Sequence, residues 1–222
     1  MFSDINAEST RRLTEAKSLV LLIKNEDLMR SLNLDSKVHK GAFFVLLYGA
    51  LEYTITAVVQ RCISILNKRQ YDIHALKPTL YSLIFHKECN AIMDARDKKW
   101  TKRYELFSQL GGTKIANIED CLFPTSIGNI KYSQLESIWN TFGITHDVVT
   151  DVKIKGRLAA LADNRNAIAH GRELASVIGG RYTISEIECI YNDMYLQLII
   201  PQYFISNKSG IWSLSLIVHS KG

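Results

Sequence analysis

The sequence predicts an all-α fold, a bundle of amphipathic helices, on three observations. Apolar residues recur at three- and four-residue steps along nearly the whole chain. Only 3 prolines and 12 glycines interrupt 222 residues, too few for a loop-rich or disordered protein. A hydrophobic content of 47% is enough to fill one substantial core. A single domain over 1–222 is expected. It divides into two leading helices (7–66), a helical and loop insertion (67–150), a helix bearing the chain's most informative motif with the helix after it (151–200), and a short C-terminal extension (201–222).

The elements follow in order. Over 7–30, Leu13, Ala16, Leu19, Val20 and Ile23 lie on one helical face. The polar stretch 31–40 offers Asp35-Ser36 as an N-cap for a second helix over 37–66. That helix is the most apolar: Phe44, Leu47, Tyr48, Leu51, Ile55, Val58, Val59, Cys62 and Leu66 form a continuous stripe. Its β-branched residues suit a strand too, but its length and period favour a helix. A polar connection over 67–78 ends at Pro78, and a third helix over 79–110 is closed by Gly111-Gly112. An irregular loop over 113–131 carries Pro124 and Gly128, and a short helix over 133–142 stops at Gly143. The motif helix is expected over 151–174, with a turn at Gly179-Gly180. A further helix begins at a Ser185-x-x-Glu188 capping box and is interrupted by Pro201. The alternating segment 211–218 reads as a strand or a docking segment. No internal repeat or low-complexity tract is visible.

Composition narrows the function classes. The balance of 27 Lys+Arg against 22 Asp+Glu gives +5, which permits a polyanionic partner without demanding one. Cys62, Cys89, Cys121 and Cys189 are scattered, with no C-x-x-C pair, so zinc-ligand spacing is absent and reduced, cytoplasmic cysteines are expected. The remaining histidines (His39, His74, His86, His146, His219) show no ligand spacing, and neither metal nor cofactor is expected. The start Met1-Phe2-Ser3-Asp4 carries neither a basic nor an apolar leader region, so no signal peptide is expected. The segment 42–59 comes nearest to a membrane span, but it contains Glu52 and Thr54 and is one-sided, so no membrane association is expected. G-x-G-x-x-G, P-loop, H-E-x-x-H and G-x-S-x-G patterns are all missing.

The chemistry concentrates in Arg165-Asn166-Ala167-Ile168-Ala169-His170-Gly171. A guanidinium is permanently charged and its planar fork fits phosphate oxygens. Imidazole exchanges protons near neutrality. Together they suffice for RNA transesterification without a metal. His170 would act as base on the ribose 2′-OH or as acid on the 5′-oxygen, and Arg165 would stabilise the phosphorane. Asn166 would orient a phosphate or hold the motif. Positions five apart on an uninterrupted helix point about 140° away from each other. Either the helix begins or kinks at Asp163-Asn164, or a second copy of the chain completes the site across a two-fold axis. In a dimer the two imidazoles could divide the acid and base roles. Glu52 lies on the rim of the apolar stripe four residues after Tyr48, where an unpaired carboxylate would be costly. A contact from Glu52 to Arg165 would offset that cost. Tyr48 is expected in the core with its hydroxyl near the site.

The string Asn164-Arg-Asn-Ala-Ile-Ala-His-Gly171 resembles the R-x4-6-H signature of the HEPN superfamily (higher eukaryote and prokaryote nucleotide-binding). Leu47-Tyr-Gly-Ala-Leu-Glu52 resembles its second-helix pattern with an acidic residue, and the stretch from Gly128-Asn129 to Phe142-Gly143-Ile144 resembles what precedes the motif. The RiboL-PSP-HEPN group and one further HEPN group of prokaryotic conflict systems are the most similar. The resemblance implies a compact HEPN-like helical bundle, a homodimer formed through the motif region, and metal-independent endoribonuclease activity. It implies a toxin or antiviral defence effector, held in check by an antitoxin or defence-system protein. Some members continue the motif as R-x4-H-x-Tyr and are neutralised by modification of that tyrosine. Arg172 stands there in this chain, so that route is not expected, and Arg172 would add a phosphate contact instead. A non-catalytic HEPN module that binds nucleotide or scaffolds a complex is the alternative, and a helical regulator with a purely structural motif is a third.

One further stretch, 96–104, interleaves basic and aromatic residues as RNA-binding surfaces do. It nominates Lys98, Lys99, Lys102 and Arg103 as RNA contacts. The competing expectation there is a solvated helix face with Trp100 and Tyr104 turned inward.

Overall fold

The computed structural model describes residues 2–28, 34–119, 130–144, 147–149 and 151–206. Among them the protein is all-α: helices and short 3-10 turns, with a single isolated bridge between Asp72 and Ile115 and no strand. The segment 211–218 lies outside the described residues. The chain forms two compact units. The first takes Met1–Val58, Gly128–Ser133 and Asp147–Ser206, and the second Val59–Ile127, Gln134–His146 and Asn207–Gly222.

In the first unit, α1 (Ser3–Leu28) buries Leu13, Ala16, Val20 and Ile23 of the face read from sequence, with Leu19 part-buried and Ile5 added ahead of it. The long helix α2 (Leu34–Arg69) begins earlier than expected. Asp35-Ser36 lie in its first turn and do not cap it. Its inner stripe is Phe43, Phe44, Leu47, Tyr48, Leu51 and Ile55. It is long and apolar enough to cross a bilayer, but half of its most apolar window is buried inside the protein, as in a core helix. α1 and α2 are also joined by a buried hydrogen bond from Thr54 Oγ1 to Ser9 Oγ at 2.9 Å. Buried hydroxyls need such partners.

α7 (Val152–Ala169) is capped by Asp151, whose carboxylate accepts from Lys153 N at 2.9 Å. It buries Ile154, Leu158, Leu161 and Ala162 and runs unbroken through Asp163-Asn164. The expected start or kink at those two residues is therefore wrong. Asp163 binds Lys131 at 2.7 Å, and the buried Asn164 donates to Tyr182 Oη at 2.8 Å, so the two side chains serve tertiary contacts instead of a cap. α7 ends five residues short of the expected Leu174, and a separate short helix α8 (Ala175–Gly179) follows. α8 lies backbone-close on α2. A Cβ added at Gly41 would overlap the Ala175 carbonyl, and one at Gly179 would overlap the Lys37 carbonyl.

α9 (Ile184–Ser206) opens with a capping box two residues earlier than expected. Thr183 N donates to Glu186 Oε2 at 2.7 Å, and Glu186 N donates to Thr183 Oγ1 at 3.3 Å. It continues through Pro201, which the sequence pattern treats as a stop. α9 packs on α1, where Tyr191 Oη donates to Leu13 O at 3.3 Å and Lys24 pairs with Glu188 at 2.8 Å.

In the second unit, the supposedly polar connection after α2 is packed. Two 3-10 turns, Ile73–Ala75 and Pro78–Leu80, bury Ile73, Leu76 and Leu80. The expected single helix over 79–110 is three: α3 (Tyr81–Ile84), α4 (His86–Asp94) and α5 (Lys99–Leu110). The chain turns at Phe85 and again at Ala95, which is extended, with no proline or glycine to announce either break. α3 and Phe85 are core, whereas α4 and α5 pack on each other and bury no residue fully. The chain from Thr113 to Glu119 returns to this core, where Asn67 brackets Ile118: Nδ2 donates to its carbonyl at 2.6 Å and Oδ1 accepts its N–H at 2.9 Å. α6 (Tyr132–Thr141) contributes Leu135, Ile138 and Trp139 and stops at Gly143, which takes a positive φ of 64°.

Candidate active site

The motif spans the C-terminal turn of α7. Arg165 is helical, three residues after the buried Ala162, and its guanidinium is held on several sides within the first unit. Its Nη2 donates to Glu52 Oε2 at 3.4 Å, and its Nη1 donates to Asn166 Oδ1 at 2.9 Å. Its Cζ lies 4.7 Å above the Tyr48 ring, close enough for cation–π attraction. The Glu52–Arg165 contact is thus present. The arginine side chain keeps 24% of its surface exposed and the glutamate 34%, so neither charge is sealed from water.

Tyr48 is fully buried, and its hydroxyl accepts the Ile130 N–H at 2.7 Å. What the tyrosine presents to Arg165 is therefore its ring face. Burial pushes its phenol above the ordinary range and the Glu52 charge adds to this, while the Ile130 hydrogen bond and Arg165 oppose it. The phenol is a neutral structural group at physiological pH. Asn166 is also buried, with its amide oxygen committed to Arg165.

His170 closes the helix as C-cap, with φ −92° and ψ 8°, and its N–H donates to Asn166 O at 3.1 Å. Gly171 follows at φ 65°, a conformation that glycine adopts without strain. Gly171 N then donates to Ile168 O at 3.0 Å and Arg172 N to Ala167 O at 2.9 Å, the paired bonds of a Schellman ending. The His-Gly close of the motif is therefore a helix stop that sets the imidazole at the rim of the unit. His170 and Arg172 are exposed, and neither side chain has a hydrogen-bond partner among the described residues.

The structure accordingly brings together Arg165, Glu52, Tyr48 and Asn166, and leaves His170 and Arg172 facing solvent. Since α7 is continuous, the angular divergence of Arg165 and His170 stands. The sequence missed Asn164 and Tyr182, whose hydrogen bond ties α7 to the approach to α9, with the Tyr182 ring 4.7 Å from Phe44. The only local signal was a polar residue inside a helical run.

Lys98, Lys99, Lys102 and Arg103 belong to the second unit, at the start of α5. The expectation that Trp100 and Tyr104 turn inward fails, because they are 78% and 74% exposed. Among the described residues α5 packs chiefly on α4, and Leu106 and Leu110 are part-buried while the two rings are not. No group of three or more His, Cys, Asp or Glu side chains is arranged to hold a metal among the described residues.

Comparison with known proteins places the chain. No curated protein and no solved structure matches it. The RiboL-PSP-HEPN family matches residues 8–200, a span that includes the motif, the Glu52 helix and the whole excursion between them. The chain belongs to the RiboL-PSP-HEPN family, and so to the HEPN superfamily with its nuclease or nucleotide-binding roles.

Proposed function

We propose that the protein is a metal-independent endoribonuclease that cleaves RNA by attack of the ribose 2′-OH on the adjacent phosphate. One observation carries this reading. A guanidinium braced by Glu52, Asn166 and the Tyr48 ring stays partly open to solvent, five residues before an exposed imidazole without a partner among the described residues.

In the proposed reaction, His170 takes the 2′-OH proton as the 2′-oxygen bonds to phosphorus. The bond to the 5′-oxygen then breaks, and that oxygen is protonated as it leaves. Arg165 neutralises charge building on the non-bridging oxygens. The products are a 2′,3′-cyclic phosphate and a 5′-hydroxyl. DNA, lacking the 2′-OH, is not a substrate. Arg172 is a candidate for a further phosphate contact.

Because one unbroken helix directs the two groups apart, the site is proposed to join Arg165 of one protomer with His170 of the partner subunit in a two-fold dimer. Exposed apolar side chains beside the motif suit such a seam. Leu174, the N-cap of α8, is 71% exposed and Val177 on α8 48%, and Val38, Val45 and Leu46 are part-exposed on α2, against which α8 is seated. A cytoplasmic toxin or defence effector, restrained by a partner protein, is the setting that the family resemblance suggests.

A second reading, a non-catalytic nucleotide-binding or scaffold module, draws on the same bracing. Arg165 is so well held within its own chain that it could serve packing alone. Incubation with total RNA in EDTA separates the two. Cleavage by the wild type, with cyclic-phosphate ends and none by His170→Ala, supports the nuclease. Intact RNA with both proteins, each folded and dimeric, supports the module.

A further inference from the structure

We propose that the outward face of α5 is a stacking platform for single-stranded RNA, with Trp100, Tyr104 and Phe107 taking bases and Lys98, Lys99 and Arg103 taking phosphates. The choice of polymer rests on the nuclease reading; the surface itself does not.

Trp100, Tyr104 and Phe107 are 78%, 74% and 67% exposed. At 100° per residue they fall within an arc of about 60°, so the three rings form one stripe. Single exposed apolar residues are ordinary, but three aligned rings mark a contact surface. Their axial offsets, about 6 and 4.5 Å, exceed the 3.4 Å rise between stacked bases of a duplex strand. The stripe therefore suits bases splayed from a single strand better than a stacked helix.

The charges around the stripe point the same way. Residues 96–107 carry five cations against two carboxylates. Glu105 is already paired, with Lys102 at 2.7 Å. Lys98, Lys99 and Arg103 are exposed and in no ion pair among the described residues, and the Arg103 guanidinium lies 4.9 Å over the Trp100 ring. Arginine beside an aromatic ring is an arrangement that single-strand binders use. A second copy of the same face would set like charges against each other, so self-association through it is disfavoured.

The test uses the full chain and a labelled 2′-O-methyl oligoribonucleotide, which cannot undergo 2′-OH attack, so binding is read apart from cleavage. Fluorescence anisotropy is expected to show binding by wild type and His170→Ala alike. Trp100→Ala and Tyr104→Ala should each weaken it by about tenfold, with Trp100→Phe restoring most of the loss and melting curves unchanged. Lys99→Glu with Arg103→Glu should flatten the salt dependence by about 0.7 log units of affinity per log unit of salt for each cation removed. Equal binding by the aromatic variants overturns the proposal, as does equal affinity for a duplex of the same sequence. It is also overturned if the variants instead lose adhesion to vesicles containing anionic lipid, or change oligomeric mass, while RNA binding stays intact. Cleavage lost with binding kept sinks only the nuclease reading; binding lost in the aromatic variants with cleavage kept supports the platform as a site separate from the chemistry.

Discussion

Removing the charge at Glu52 asks whether the brace on Arg165 matters. Glu52→Gln preserves shape and an acceptor oxygen but deletes the anion facing Arg165 at 3.4 Å. At that separation the Coulomb attraction is about 1 kcal/mol in bulk water and about 5 kcal/mol at an effective dielectric of 20. Exposures of 24% and 34% put the pair between those limits, and desolvation takes back part of the gain, leaving a net coupling of roughly 1–2 kcal/mol. For a chain of this size Glu52→Gln should lower Tm by about 2–8 °C. A double-mutant cycle with Arg165→Gln isolates the pair, because each single variant loses the attraction once. Equilibrium denaturation measures the cycle, and the initial rate of RNA cleavage, expected to fall by about tenfold as the guanidinium loses its orientation, measures the consequence. Single-variant losses that add to within about 0.3 kcal/mol, with an unchanged cleavage rate, would show that Glu52 does not brace Arg165.

Other perturbations follow from the same coordinates. Gly41→Ala drives a methyl into the Ala175 carbonyl and must push α8 away from α2, so it should cost about 3 kcal/mol or more, read as a Tm loss by calorimetry; Gly156→Ala, where a Cβ meets nothing within 4 Å, should be neutral or stabilising. Burial pushes the Cys62 thiol up to about 12, so at pH 8 only about one molecule in ten thousand carries its thiolate; iodoacetamide mapped by peptide mass should label the exposed Cys89 and Cys189 long before it. The hydrogen bond from Arg11, and then the charges of Arg11 and Arg12, hold the Glu8 carboxyl at about 2 against an ordinary 4.5. Its contribution is therefore complete above about 4.5 and fades as pH falls toward 2, and Glu8→Gln should flatten that acid limb of the Tm–pH curve while leaving the neutral region little changed.

Periodicity carried what was legible. The stripe of α2 and the face of α1 follow from apolar spacing alone, because burial on one side forces that spacing. Glu52 was nameable as a partner for Arg165 because a carboxylate on an apolar helix needs a cation. The details that failed depend on residues far apart in the chain. Asn164 looks like a cap until Tyr182 claims its amide, and Tyr48 looks like a site hydroxyl until Ile130 claims its oxygen. Thr183-x-x-Glu186 and Ser185-x-x-Glu188 satisfy the same capping pattern, and only the backbone path chooses between them. The break between α4 and α5 contains neither proline nor glycine, so local propensity gave no sign of it. Aromatic rings on a solvated helix are expected to turn inward, yet among the described residues α5 packs chiefly on α4, and Trp100 and Tyr104 stay exposed.

Subunit complementation interrogates the site most directly. Arg165→Ala and His170→Ala are each expected to be inactive on RNA in EDTA. After mixing and subunit exchange, a site built from Arg165 of one protomer and His170 of the partner subunit is intact once in every heterodimer, so about a quarter of wild-type cleavage should return. A mixture that stays inactive, beside a wild type that cleaves and variants shown to have exchanged, would contradict a site shared between two chains.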